Sequence, residues 1–410
     1  MKRKIIIYVT FCMLMMSCTH SSKKADINEP TINNIVANKD LYSIDIDNKS
    51  NLKKIYLSNI FKNVKTIILE TTKDALIGSV KSIQIYEDYI FILDNNVAKG
   101  LFQFNKEGHF LKRFGNIGNG PGEYIEPTDF TLNIKDKILY ILDSQTQKII
   151  MYDLITGSYI KDVRIADGRY KSFNIQYAEN RIFTDAYHYE KMGNEFLLQE
   201  INVLTGQSIK KWLPTKLYNK NFSKTYFAPE NVFYDRTKKS PKFIQYFMDT
   251  IISIFPEKIV PLLTIKSDKL LKESDLQEIG LKNENIIMNL IQKDLVYHIS
   301  DFISYKNILY FTYRHKNSFR CCFFNTNTKE TQIGLCVIDD LIYKIDDENN
   351  SLVPRFCTSS EDGMYAYIDP IEIDRFVKLV KSNRLKVNLD KLDKLKQLTQ
   401  GSNPVIFIYN

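Results

Sequence analysis

One spacing constrains this chain more than any other feature. The stretch IYEDYIFILDNNVAKGLFQFNKEGHFLKRF, residues 85–114, lies over IKDKILYILDSQTQKIIMYDLITGSYIKDV, residues 134–163, at an offset of 49 with no gap. Phe91 falls on Tyr140, Leu93 on Leu142, Asp94 on Asp143, Gly108 on Gly157 and Phe110 on Tyr159. The shared pattern is an apolar strand ending in Asp, a turn, a second apolar strand, a glycine turn and a third strand. A third copy follows: Gly206 lies 49 after Gly157, but the matching Asp185 lies only 42 after Asp143, so about seven extra residues sit in the hairpin around HYEKMGNEF. Each repeat is long enough for about four strands, and antiparallel units repeated at this period predict an all-β fold, the β-propeller.

Counting gives six blades, roughly 77–120, 125–165, 172–214, 225–265, 297–337 and a last one from 338. The later copies are fainter. The strand-like NLKKIYLSNIFKNVKTIILE precedes the first blade and is placed to complete the last, which would close the ring and remove an exposed sheet edge. Two stretches have helical spacing instead. Residues 267–295 carry Leu270, Leu271, Leu276, Ile279, Ile286, Ile287 and Leu290; residues 371–398 carry Phe376, Leu379, Val380, Leu385, Leu389, Leu392 and Leu395. Both read as helical insertions laid against the ring.

The N-terminus reads as an export signal over residues 1–17. Lys2, Arg3 and Lys4 precede an apolar run from Ile5 to Met16, too short to span a bilayer. The run ends in Leu14-Met15-Met16-Ser17-Cys18, which resembles the lipobox of bacterial lipoproteins, with Met15 where leucine is usual. Cys18 is then the acylated mature terminus. A polar stretch from Thr19 to about Ser50 reads as a flexible tether, giving a lipidated segment over residues 18–50 and a propeller over 51–410. The net charge is +8, of which three belong to the signal, and no Lys/Arg block interleaved with aromatics occurs. This argues against a nucleic-acid partner. Besides Cys12 and Cys18 there are Cys321, Cys322, Cys336 and Cys357. Free buried thiols are the expectation; an oxidising compartment also permits a bridge, with Cys322 to Cys336 the most plausible pairing.

The stretch GNIGNGPGEY, residues 115–124, concentrates glycine in a glycine-poor chain. It is followed by the strand-like YIEPTDFTLNI and not by a helix, so it lacks the frame of a phosphate loop. Pro121-Gly122 suits the centre of a type II turn, making this a corner between two blades. FGNIGNGPGEYIEPTDF also resembles the signature of a family of six-bladed β-propeller lipoproteins of Bacteroidetes, related to NHL and TolB-like propellers. LSNIFKNVKTIILE, YFMDTIISI and SNPVIFIYN agree with it. The resemblance implies the fold and the lipid anchor, and no established activity. No acidic cluster follows Cys18 of the kind surface-exported lipoproteins of that group carry, which favours the periplasmic face of the outer membrane over the cell surface.

Loops joining successive blades gather on one face around the channel. On that ground Arg113, Glu123 and Tyr124 are the candidate ligand-binding residues, although Glu123 also suits the turn amides and Tyr124 an inter-blade plug. Asp94, Asp143 and Asp185 recur at one blade position. They read either as a ring of carboxylates for a hard cation or, more ordinarily, as acceptors for their turns. His109, His188, His298 and His315 are scattered, and His188 with Glu190 is the pair nearest to a site. No HExxH, no GxSxG elbow and no CxxC occurs. The cofactor is unknown, and no catalytic or metal residue is assigned. The expected function is a non-catalytic, membrane-anchored binding module for a peptide, glycan or protein partner. The alternative is a propeller lyase or hydrolase with a metal in the central channel.

Overall fold

Tyr89–Asp94 and Ile138–Asp143 are almost continuously buried, whereas Phe110–Phe114 is mostly half-buried and Tyr159–Arg164 largely exposed. That radial gradient follows from stacking: a central strand has neighbouring sheets on both faces, so both of its side-chain rows are apolar. The structure, a computed structural model, describes residues 41–47, 52–188, 195–219, 231–255, 258–279, 286–344, 352, 354–386 and 391–410. Within them the chain is a six-bladed β-propeller with two helical insertions.

Blade one is Ser82–Tyr86, Tyr89–Asp94, Gly100–Asn105 and Phe110–Phe114. Blade two is Pro127–Asn133, Ile138–Asp143, Lys148–Asp153 and Tyr159–Arg164. Blade three is Ile175–Ala178, Arg181–Asp185, Phe196–Ile201 and Ser208–Pro214. Blade four runs Phe233–Tyr234, Lys242–Phe243, Thr250–Ile254 and Ile259–Lys266; blade five runs Val296–Tyr305, Ile308–His315, Ser318–Asn325 and Thr331–Ile338. Blade six joins Arg355–Ser360, Gly363–Ile368 and Val405–Tyr409 to Val64–Ile68 from the other end of the chain. The 49-residue offset superposes like on like: Gly108, Gly157 and Gly206 all close third-to-fourth-strand turns at φ of +94°, +79° and +74°.

The polar N-terminal stretch is structured earlier than the expected boundary at residue 51. Tyr42–Asp45 adds as a parallel fifth strand to the outer edge of blade four, and Leu52–Tyr56 does the same on blade five. The reason is a short alternation in YSIDID: Ile44 and Ile46 point inward and are buried, as are Ile55 and Leu57 further on. Each such burial stabilises by roughly 2 kcal/mol. The segment then supplies the outer strand of blade six, so it straps three successive blades.

The first insertion, between blades four and five, contains helices Glu273–Ile279 and Ile286–Gln292, which bury Leu276 and Leu290. The second lies inside blade six, with helices Ile373–Lys381 and Leu392–Leu395. It buries Ile373, Phe376, Val377, Leu379, Val380 and Leu395. Cys321 and Cys322 are buried on blade five, Cys322 as a free thiol, and Cys357 is a half-buried free thiol on blade six. Cys322 thus forms no bridge, and the Cys336 side chain lies outside the described residues.

Closure rests on a five-residue register, Val64 against Tyr409 through Ile68 against Val405. Asn63 and Asn410 exchange both backbone bonds, at 3.0 and 3.1 Å. Alternation then directs the N–H of Lys65, opposite Ile408, into the ladder. Lys65→Pro, whose side chain was exposed, should lose about 1–3 kcal/mol in denaturant unfolding, because a buried acceptor is left unpaired. Lys65→Ala should stay within about 0.5 kcal/mol of the parent, so equal effects of the two would refute the closure argument.

Candidate functional site

The recurrent aspartates stitch each blade to the chain that enters it. Asp94 accepts from the N–H of Gly78 and Ser79 at 2.8 and 2.9 Å, and from Asn96 and Val97 at 3.1 and 2.9 Å. Asp143 accepts from Ile125, Glu126, Gln145 and Thr146 in the same way. Asp185 accepts from the amides of Phe173 and Asn174 at 2.7 and 2.8 Å, and from the Asn174 side chain at 2.7 Å. These carboxylates sit in three different blades and hold their own turns. Burial pushes Asp94 up, but the Ser79 hydroxyl and the turn amides outweigh it and hold the carboxyl below its usual range. At Asp185 burial wins over the same kind of bonds and pushes the carboxyl up to about 7.

The glycine stretch is a corner. Glu123 N–H donates to Gly120 O at 3.1 Å across Pro121-Gly122, and Gly122 sits at φ +73°, as the third position of a type II turn requires. A Cβ on Gly122 would meet Tyr159 at 2.9 Å. Glu123 accepts the Gly120 N–H at 2.7 Å. Tyr124 is wholly buried among Phe91, Phe114 and Phe130, its hydroxyl donating to Phe114 O at 2.9 Å, and burial raises its pKa. Arg113 donates to Lys99 O at 2.9 Å and lies over the Phe102 ring at 5.4 Å. The three sequence-derived candidates thus meet at the junction of blades one and two, and none lines the channel cavity. Glu123 serves the corner itself, Arg113 the neighbouring blade-one turn, and Tyr124 presents no surface to a ligand. Of the histidines, His188 packs edge-on against Tyr170, and Glu190 lies outside the described residues.

The channel itself is organised by a residue that the repeats do not mark. Arg236, just after the first strand of blade four, reaches across to blade two. Its Nη1 and Nη2 donate to the two oxygens of Asp129 at 2.6 and 3.0 Å. Nη2 also donates to Phe130 O at 2.5 Å and to Ile175 O, and Nε donates to Gln176 Oε1 at 3.0 Å. Asp129 also takes the Ile175 N–H at 2.8 Å and has no exposed surface. Blades two, three and four are therefore tied together through one guanidinium. A second network joins blades four to six: Asp235 accepts from Ser304 N–H and pairs with Lys238 at 3.2 Å, and Ser359 donates to Ser304 O at 2.7 Å.

The channel keeps an open cavity of about 760 Å³ between blades one, four, five and six. Its wall includes Lys81, Gln84, Tyr234, Asp301, Tyr310, Arg314, Phe319, Phe356 and Cys357. The second insertion adds Glu372 and Arg375. Arg355 pairs with Asp369 at 3.0 Å and Arg375 with Glu372 at 3.8 Å. Asp301 accepts from Thr312 Oγ1 at 2.6 Å and from Ser300 Oγ at 3.3 Å. A recess of about 280 Å³ opens beside it, sharing Lys81, Asn231, Tyr234, Asp301, Arg314 and Phe319, and adding His298 and Ser300. Among the described residues no three His, Cys, Asp or Glu side chains are placed to hold one metal ion.

Arg236→Met leaves Asp129 buried without its partner, and an expected loss of about 3–5 kcal/mol should appear in equilibrium unfolding. Adding Asp129→Asn, which removes the charge, should return part of it; no recovery would show that the lock is not the cause. Asp185 bears on pH. Its folded pKa is raised, so its contribution is complete below the ordinary carboxylate range near 3.8 and is lost as pH rises to about 7. Asp185→Asn should flatten the fall in melting temperature over that window.

Over residues 41–410 the chain matches the family described as Domain of unknown function (DUF4934). A protein from Bacteroides fragilis, provisionally described as exported, has a solved structure that is 18% identical, with 90% of this chain and 99% of that one covered and a TM-score of 0.73. A member of the duf4221 family from Bacteroides vulgatus is 12% identical over 85% and 96% of the two chains, with a TM-score of 0.49. No curated protein matches. The first of these likenesses shares the propeller fold, and the match across nearly the whole described chain carries the conclusion that this protein belongs to the DUF4934 family.

Proposed function

We propose that this protein is an exported, lipid-anchored binding module whose ligand, a glycan or peptide, enters the channel cavity. The observation that carries the reading is the cavity of about 760 Å³, walled by four blades and kept rigid on one side by the Arg236–Asp129 lock. Ligand sites are pre-formed concavities of this size with a few placed polar groups. The wall carboxylates favour binding over metal-assisted chemistry: Asp235 is paired with Lys238, Asp369 with Arg355, and Asp301 accepts two hydroxyls. Export is supported by the signal and lipobox ending at Cys18, and by the exported description given to the B. fragilis protein of like fold. No helix among the described residues is long and apolar enough to cross a membrane; in this reading acyl chains on Cys18 supply the anchor. The placement we favour is the periplasmic face of the outer membrane.

Two measurements test this. Cys18→Ser should abolish metabolic labelling with palmitate and move the protein from the membrane pellet to the soluble fraction; unchanged partition would refute the anchor. Glycan and peptide panels incubated with the purified protein should yield ligands that bind and are recovered intact. Cleaved or eliminated products would overturn the non-catalytic reading.

A further inference from the structure

We infer that a cleft between blades one and two, away from the channel, binds an N-acetylated sugar, with the Gln103 amide as the group that recognises its acetamido substituent. The site shares no residue with the channel cavity, so it stands or falls apart from the reading above. The cleft holds about 280 Å³. Tyr86, Tyr89 and Gln103 of blade one form one wall, and Leu154 and Ile155 of blade two the other.

Gln103 is the residue out of place. The registers pair Phe91 with Gln103, Tyr140 with Met151 and Ile182 with Ile201. Phe91, Tyr140 and Ile182 each stand three residues before the recurrent aspartate, so Gln103, Met151 and Ile201 occupy one position of three blades. Blades two and three fill it with a buried apolar side chain, and blade one with an amide. Gln103 is 3% exposed, and its Oε1 has no hydrogen-bond partner among the described residues. An unpaired buried amide oxygen costs stability that an apolar residue there would not. A half-turn about the last, twofold torsion exchanges its oxygen and nitrogen, so the amide can offer acceptor or donor to the cleft.

The rest of the wall selects a ligand class. A side-chain amide is satisfied at both ends by another amide, whose N–H and C=O lie side by side. Leu154 and Ile155 give an acetamido methyl an apolar seat, and Tyr86 and Tyr89 offer rings to the C–H face of a pyranose. Glu87 takes the Tyr86 hydroxyl on Oε1, which leaves its second oxygen for sugar hydroxyls. Of the two lysines beside the cleft, Lys112 is committed to the Ile155 carbonyl, and Lys137 lies over the Tyr86 ring at 5.9 Å. A peptide bond would present the same amide pair but would bring no hydroxyls for Glu87.

The test is calorimetric titration of the full-length protein in detergent with diacetylchitobiose, cellobiose and triglutamine. The two disaccharides share ring and linkage and differ in the acetamido group. Diacetylchitobiose should bind at least about tenfold tighter than cellobiose, the factor expected for one buried hydrogen-bonded pair. Gln103→Met, which restores the blade-two pattern, should erase that preference while the melting temperature holds or rises. Tyr86→Ala should weaken both disaccharides by a similar factor. No binding of diacetylchitobiose, equal affinity for cellobiose, or a preference that survives Gln103→Met overturns the site. A melting temperature that falls in Gln103→Met assigns the amide to packing and overturns it too. Tighter binding of triglutamine, lost in Gln103→Met, replaces the sugar by a peptide amide and refutes the ligand class.

Discussion

Everything in this molecule depends on one short antiparallel pairing, Val64–Ile68 against Val405–Tyr409. A propeller blade has apolar side chains on both faces, so no blade is stable without a neighbour on each side. Until the sixth sheet acquires its outer strand, the ring has two ends, each an exposed apolar face. The five-residue ladder removes both at once. Its partners are aromatic as well as aliphatic: Phe407 meets Phe376 of the second insertion, and Tyr409 meets Phe61 and Phe356. Strand pairing and inter-blade packing are thus secured by the same residues.

The interior of the ring follows a different rule. Inner strands of a propeller face a channel, and a channel this narrow must be filled either by apolar side chains or by polar groups that satisfy one another. Blades two to four use the second solution, a bidentate Arg236–Asp129 pair with carbonyls and Gln176 completing it. Such a pair adds little net stability compared with an apolar substitute, but it is intolerant of misplacement, and so fixes how the blades face each other. The cluster also forms one side of the open cavity, since Arg236 belongs to its wall.

The repeat made the blades legible because each carries its signals locally. Asp94, Asp143 and Asp185 end a strand and hold a turn, and Gly108, Gly157 and Gly206 adopt positive φ at one blade position. Helical spacing in the insertions was equally local. The channel was not legible. Arg236 finds Asp129 across 107 positions, and nothing near either residue announces the other. The only trace was a charged residue inside an apolar strand, PTDFTLN, which is costly unless paired. The corner residues Arg113, Glu123 and Tyr124 attracted attention because glycine-rich loops often meet ligands; here Glu123 accepts a loop amide, Tyr124 donates to Phe114 O and Arg113 donates to the Lys99 carbonyl in the preceding blade-one turn. Tyr42–Asp45 was missed because two isoleucines are a faint alternation in a polar stretch.

The strap has a consequence for how such a chain comes into being. Tyr42 faces Leu263, 221 positions later, and Val64 faces Tyr409, 345 positions later. Contacts of that separation form slowly, since the entropy of drawing distant segments together must be overcome before they reward the chain. As the chain leaves the ribosome, Val64–Ile68 therefore waits for Val405–Tyr409. A chain cut short anywhere before Val405 leaves Val64–Ile68 with no mate and its blade ends bare. The architecture so works as an inspection of length: a chain that reaches Val405–Tyr409 can hide its hydrophobic faces, and shorter ones remain open to proteases.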